Sequence, residues 1–207
     1  MEKFKFSSKK DKKWLENYWF YYRIHTIVGI ISAIVLIFSL VECANKVYPD
    51  LSSSYIGEKT FSEEISTKIE QTFVEYIDDA TKNGTKDVSF TAITVSKEAK
   101  SEQDMAMIQK AQLEIAAGES YLYIMDKAYF EQYAKEGLFL NIADKLGKSG
   151  EIFGVPLNNS AVFSSLGLKS NMDLYAGVRV ITLGNQKKEK EIAGQNNAIK
   201  VIIKLAE

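Results

Sequence analysis

One uncharged run, Ile24 to Val41, limits this chain more than any other feature. It reads IHTIVGIISAIVLIFSLV, and His25 is its only ionisable group. As a helix rising about 1.5 Å per residue it extends roughly 27 Å. A bilayer's hydrocarbon core is about 30 Å thick. More than half of the run is β-branched, which disfavours a helix in water. In lipid every backbone amide must be satisfied within the segment, and the helix becomes the available solution. The run therefore predicts one transmembrane helix over residues 24–44, with Cys43 and Ala44 extending its end.

The flanks predict its orientation. Residues 1–23 carry Lys3, Lys5, Lys9, Lys10, Lys12, Lys13 and Arg23 against Glu2, Asp11 and Glu16. Basic flanks stay in the cytoplasm. The N-terminus is thus expected inside and residues 45–207 outside, a single-pass arrangement in the cell membrane. Trp14, Tyr18, Trp19, Phe20, Tyr21 and Tyr22 precede the run as an interfacial belt would. The long basic region, the length of the run and the lack of an A-x-A site argue against a cleaved signal peptide. Leu40-Val41-Glu42-Cys43 ends in the chain's one cysteine, but Glu42 stands where a lipidation signal wants a small residue. A lone cysteine leaves the outer domain without an intrachain disulfide. Gly29 and Ala33 form a small-xxx-small pair, the spacing that lets two such helices meet as a homo-oligomer.

Residues 45–207 form the outer domain. The first 44 residues carry a net +3 and the whole chain −1, so the remainder carries −4. That mild acidity argues against a nucleic-acid partner. Its pattern alternates strand-like and helix-like segments. Leu51–Ile56 reads as a strand and Gly57-Glu58-Lys59 as a turn. Thr60 and Glu63 have capping-box spacing. Phe61, Ile65, Ile69, Phe73 and Ile77 then make an apolar stripe on a long helix that ends at Asn83-Gly84. Val88–Val95 is a second strand, Glu102–Ala117 a helix closed by Gly118, and Tyr121–Met125 a third strand. Asp126 caps a helix over Lys127–Glu136. Leu138–Ile142 and Phe153–Leu157 are short extended pieces, and Asn159 or Ser160 can cap a short helix through Phe163. Leu174–Leu183 reads as the last strand and Ala198–Leu205 as a closing helix. The expected fold is α/β: one mainly parallel sheet with flanking helices.

Several chemistries are excluded. No glycine-rich nucleotide fingerprint is present. The outer domain holds no histidine and no cysteine. That removes Ser–His and Cys–His nucleophiles and His/Cys zinc sites from it. No enzyme activity, cofactor or metal is expected. Open α/β sheets bind ligands at the carboxyl ends of their strands. The candidate ligand residues are accordingly Tyr55, Gly57 and Lys59 after the first strand, Asp126 after the third, and Asn158 and Asn159 after Phe153–Leu157. Asp126 is the best of these, and helix capping is its alternative role.

The stretch AQLEIAAGESYLYIMDKAYFEQYAKEGLFLNIAD, Ala111–Asp144, resembles part of an extracellular solute-binding protein of bacterial importers. The resemblance lies in Ala116-Ala117-Gly118, Leu122–Met125, Asp126, Phe130, Gly137–Ile142 and Asp144–Leu146. It continues with Phe153-Gly154-Val155-Pro156. It implies a single lobe of a two-lobed fold, because only a short segment separates Pro156 from the last strand. The chain departs from the family there, since a cleft between two lobes needs a second lobe. On this resemblance the expected function is noncatalytic binding of a solute or peptide outside the membrane, accessory to a transporter. The alternative is a structural or regulatory interaction module whose uncovered face meets another protein. Expected partners are the lipid bilayer and a solute or protein.

Overall fold

The computed structural model of the chain describes residues 9–44, 48–96, 98–158, 160–168, 173–181 and 189–207. The chain divides into two compact units, Met1–Val47 and Tyr48–Glu207.

In the first unit Lys9–Ala44 is one helix, α1. Its segment Tyr18–Val41 is long and apolar enough to cross a membrane. The large apolar side chains from Ile24 to Val41 all stand exposed. Tyr18 and Tyr22, one turn apart, stack at 5.3 Å. Tyr18 Oη and Thr26 Oγ1 lie 3.1 Å apart and share a hydrogen bond.

The second unit is α/β. Its strands are β1 (Leu51–Gly57), β2 (Val88–Thr94), β3 (Leu122–Asp126), β4 (Val155–Pro156) and β5 (Leu174–Val178). Its helices are α2 (Glu63–Val74), α3 (Glu102–Ala117), α4 (Lys127–Lys135), α5 (Ala161–Ser165) and α6 (Glu189–Leu205). The sheet order is β2-β1-β3-β5-β4. β1 runs parallel to β2 and to β3. β5 runs antiparallel to β3 and to β4. The sheet is therefore mixed, which corrects the expectation of a mainly parallel one. The cause is the connection into β5. Parallel neighbours need a crossover, commonly a helix across one face. Between β4 and β5 the chain instead makes a short excursion and returns beside its exit: Pro156 faces Tyr175, and Leu157 N donates to Leu174 O at 2.8 Å.

Successive residues of β3 point to opposite faces, as strand geometry requires. Leu122 and Ile124 join a core with Leu51, Tyr55, Ile69, Phe73, Val201 and Ile202, under α2 and α6. Tyr123 and Met125 join a second core with Ile56, Ile93, Ala111 and Phe130, under α3 and α4. Both faces are covered, which is why β2 and β3 read as largely apolar or β-branched runs, while β1 carries Ser53 and Ser54 among its buried residues.

α3 spans its expected residues. Ser101 and Asp104 form a reciprocal capping box, and Gly118 closes the helix at φ 63°. α2 differs. Its N-cap is Ser62, whose Oγ accepts from Ile65 N, and it ends at Val74 rather than near Gly84. The side-chain amide of Asn197, from α6, holds the chain beyond Val74. Its Oδ1 accepts from Asp78 N at 3.0 Å and its Nδ2 donates to Asp78 O at 2.9 Å. Those bonds take the place of the next helical turn, and Ile77 still reaches the core. The last strand is shorter than expected, ending at Val178 with an isolated bridge from Arg179 to Phe139. The closing helix is longer and starts at Glu189.

Candidate functional site

Strands β1 and β3 lie side by side and parallel, so Gly57 and Asp126 end at the same edge of the sheet. There the Asp126 carboxylate does not cap α4, although Asp126 is that helix's N-cap residue. Its Oδ2 instead accepts from the backbone N–H of Glu58 at 2.6 Å. The Tyr55 side chain, at the end of β1, also hydrogen-bonds the Asp126 carboxylate. Tyr55 Oη accepts in turn from Lys59 N at 2.8 Å. The turn after β1 is thus tied to the end of β3, at the entrance to α4, by a tyrosine and a carboxylate. Gly57 leaves room for this. A Cβ there would sit 2.6 Å from Asp126 Oδ2 and closer still to the Tyr55 hydroxyl.

Tyr55 is fully buried, with its ring 4.3 Å from that of Phe61. Burial, then the nearby Asp126 charge, pushes its phenol well above the usual tyrosine range. Burial does the same to Tyr123. Burial, then Glu191, pushes Tyr121 up to about 12. A raised phenol pKa favours the neutral form in the folded state. The stability these groups contribute is complete below about pH 10, the unfolded value, and is lost as pH climbs above it. Alkaline titration by ultraviolet absorbance should show exposed tyrosines ionising first. The buried three should ionise only as circular dichroism reports unfolding. Ionisation of all tyrosines in one step before unfolding would contradict this.

A shallow depression of about 420 Å³ opens at this edge. Glu58, Lys59, Asp126, Lys127, Glu131 and Asp173 line it. Asp173 is held there because Lys127 N donates to its carbonyl at 2.9 Å. The lining offers four carboxylates and two ammonium groups, an excess of acceptors. It suits a ligand that presents N–H donors or positive charge.

Four of the sequence candidates, Tyr55, Gly57, Lys59 and Asp126, come together at this edge, and of them Lys59 and Asp126 line the depression. Asn158 does not line it; its Oδ1 is buried without a hydrogen-bond partner among the described residues. Asn159 lies outside the described residues. Glu58, Glu131 and Asp173 were not singled out from the sequence. Glu58 and Asp173 adjoin strand ends, and Glu131 follows Asp126 by five residues on α4, a spacing with no distinctive signature. Among the described residues no group of three or more His, Cys, Asp or Glu side chains is arranged to hold a metal ion.

Comparison of the chain with protein-family models, with curated proteins and with solved structures yields no match.

Proposed function

We propose that this protein is a single-pass, membrane-anchored binding protein. Its N-terminus is cytoplasmic, and its α/β unit is a noncatalytic receptor for a solute or peptide on the outer side, accessory to a transporter. The observation that carries the proposal is the edge at Asp126. Its carboxylate lies where parallel strands end, is fixed by Glu58 N and Tyr55, and borders a depression whose lining includes four acidic and two basic residues. Ligands collect at this edge in open α/β sheets because strand ends and helix starts converge there. The resemblance of Ala111–Asp144 to a solute-binding lobe agrees with the reading. So does the path of the chain, which leaves the sheet after Pro156 and re-enters at Leu174 alongside. That is the place where a two-lobed relative would cross to its other lobe.

The test is thermal unfolding of the full chain in detergent micelles against amino acids, sugars, short peptides and organic amines. A ligand at one hundred times its dissociation constant adds about 2.7 kcal/mol to stability. We expect a saturable rise with at least one amine or basic peptide, and its loss in Asp126→Asn. No response from any class, in a protein that melts cooperatively, would overturn the receptor reading. It would favour the interaction-module alternative, for which Leu113 and Met105, large apolar side chains exposed on α3, supply the supporting observation.

A further inference from the structure

The opposite edge of the sheet holds a second depression, of about 300 Å³. Ile115, Ala117 and Gly118 at the end of α3, Leu138, Arg179 and Val180 contribute to its lining. Arg179 is the one ionisable side chain among the lining residues. It follows β5 directly, and its backbone N–H donates to Tyr121 O at 2.9 Å. This sets the residue beside the start of β3, far along the strand from Asp126.

The Arg179 side chain is 7% exposed. A guanidinium has five N–H donors, and a buried charge is costly unless those donors are used. Arg179 uses few. Its Nε donates to Ser120 O at 2.8 Å, and its Nη1 reaches Val180 O only at 3.5 Å. Its Nη2 is buried and has no hydrogen-bond partner among the described residues. The nearest carboxylate oxygen, Glu191 Oε2, lies 3.9 Å away and already accepts from Tyr121 Oη at 3.2 Å. The guanidinium also lies over the Tyr121 ring, 5.6 Å from its centroid. Gly118 borders both the group and the depression. A Cβ at that position would stand 2.9 Å from Nη1, so any other residue would crowd the guanidinium.

We infer that Arg179 anchors a second ligand site, which takes a small organic carboxylate. Nη1, the guanidinium nitrogen nearest Gly118 at the cavity wall, is the one placed to donate to a carboxylate oxygen, and charge-assisted bonds of that kind are among the stronger ones. Ile115, Leu138 and Val180 line part of the cavity beside it, where a short hydrocarbon tail can rest. The volume is at the small end for a ligand pocket, which limits the tail to a few carbons. Glu191 balances the charge of Arg179 without lining the cavity.

The test uses the full chain in micelles, titrated with propionate, with chloride at equal ionic strength and with propionamide as the uncharged analogue. Propionate should raise the unfolding midpoint saturably, and neither control should. Arg179→Gln should abolish the response. If that variant does not fold, Val180→Glu decides the matter. It brings a carboxylate to the mouth of the cavity, should melt cooperatively, and should not respond to propionate. Three outcomes would overturn the inference: no saturable rise with propionate, an equal rise with chloride (an adventitious ion only), or a propionate response retained in Val180→Glu.

Discussion

Replacing Phe130 by alanine is expected to remove about 3–5 kcal/mol of unfolding free energy, the range for truncating a buried aromatic side chain. Phe130 is the one buried residue of α4. Its ring stacks on Phe139 at 4.8 Å and on Tyr175 at 5.2 Å, nearly parallel to each. It also lies directly on backbone. A Cβ added to Gly177 would sit 2.9 Å from Phe130 Cε2, and one added to Gly154 would fall even nearer the ring. Four separate segments, α4, β5 and the chain around Phe139 and Gly154, therefore meet at one ring. Removing it leaves a cavity whose walls include sheet backbone, which cannot close in. A domain of this kind has about 5–15 kcal/mol in total, so the loss consumes a large share of it. Denaturant unfolding of the full chain in micelles, followed by circular dichroism, gives the measurement. Phe130→Leu retains much of the buried volume and should cost clearly less. A loss below about 1 kcal/mol for the alanine variant would mean that α4 is not fastened by this ring. Because α4 begins beside Asp126, the variant should also weaken any ligand response at that edge.

Phe130 illustrates how far residue pattern reaches in this chain. Its spacing after Asp126 was visible as part of a packing motif, but the stack on Phe139 and Tyr175 joins residues far apart in sequence. The local elements were legible for physical reasons: the runs of β2 and β3 are largely apolar or β-branched because both faces of the sheet are covered, and α3 carries its own start and stop in Ser101, Asp104 and Gly118. What escaped was set at a distance. The direction of β5 depends on where an excursion from β4 returns, which no periodicity records. The end of α2 depends on the Asn197 amide, from a helix more than a hundred residues later. The role of Asp126 turned on the same kind of contact. As the residue before a helix it reads as a cap, yet its carboxylate is taken by Glu58 N, a donor 68 positions earlier in the chain. Asn158 follows β4 by two residues, but strand ends alone do not say which side chains turn toward a common depression.

The proposed anchor gives the other large effect. Replacing Ile30 and Ile34 together by arginine is expected to stop α1 from inserting, while either single replacement is tolerated. The segment Ile24–Val41 holds twelve Ile, Val, Leu and Phe residues. At about −0.3 to −0.6 kcal/mol each they favour insertion by roughly 4–7 kcal/mol before the polar positions are counted. One arginine near the centre costs about 2.5–3.5 kcal/mol and leaves the balance favourable. Two arginines, with two isoleucines lost, cost about 6–8 kcal/mol and reverse it. Ile30 and Ile34 are one turn apart on the same side of the helix, so both cations meet lipid on one face and neither can use the other as a partner. The measurement is resistance to alkaline carbonate extraction from membranes. It is combined with labelling by an impermeant thiol reagent of a cysteine placed at exposed Thr85, with Cys43→Ser as background. The parent should resist extraction and be labelled from outside intact cells; the double variant should be extracted. Labelling only after the cells are opened would reverse the proposed orientation while leaving the anchor in place. Extraction of the parent itself would show that the bare apolar surface of α1 is covered by protein rather than by lipid.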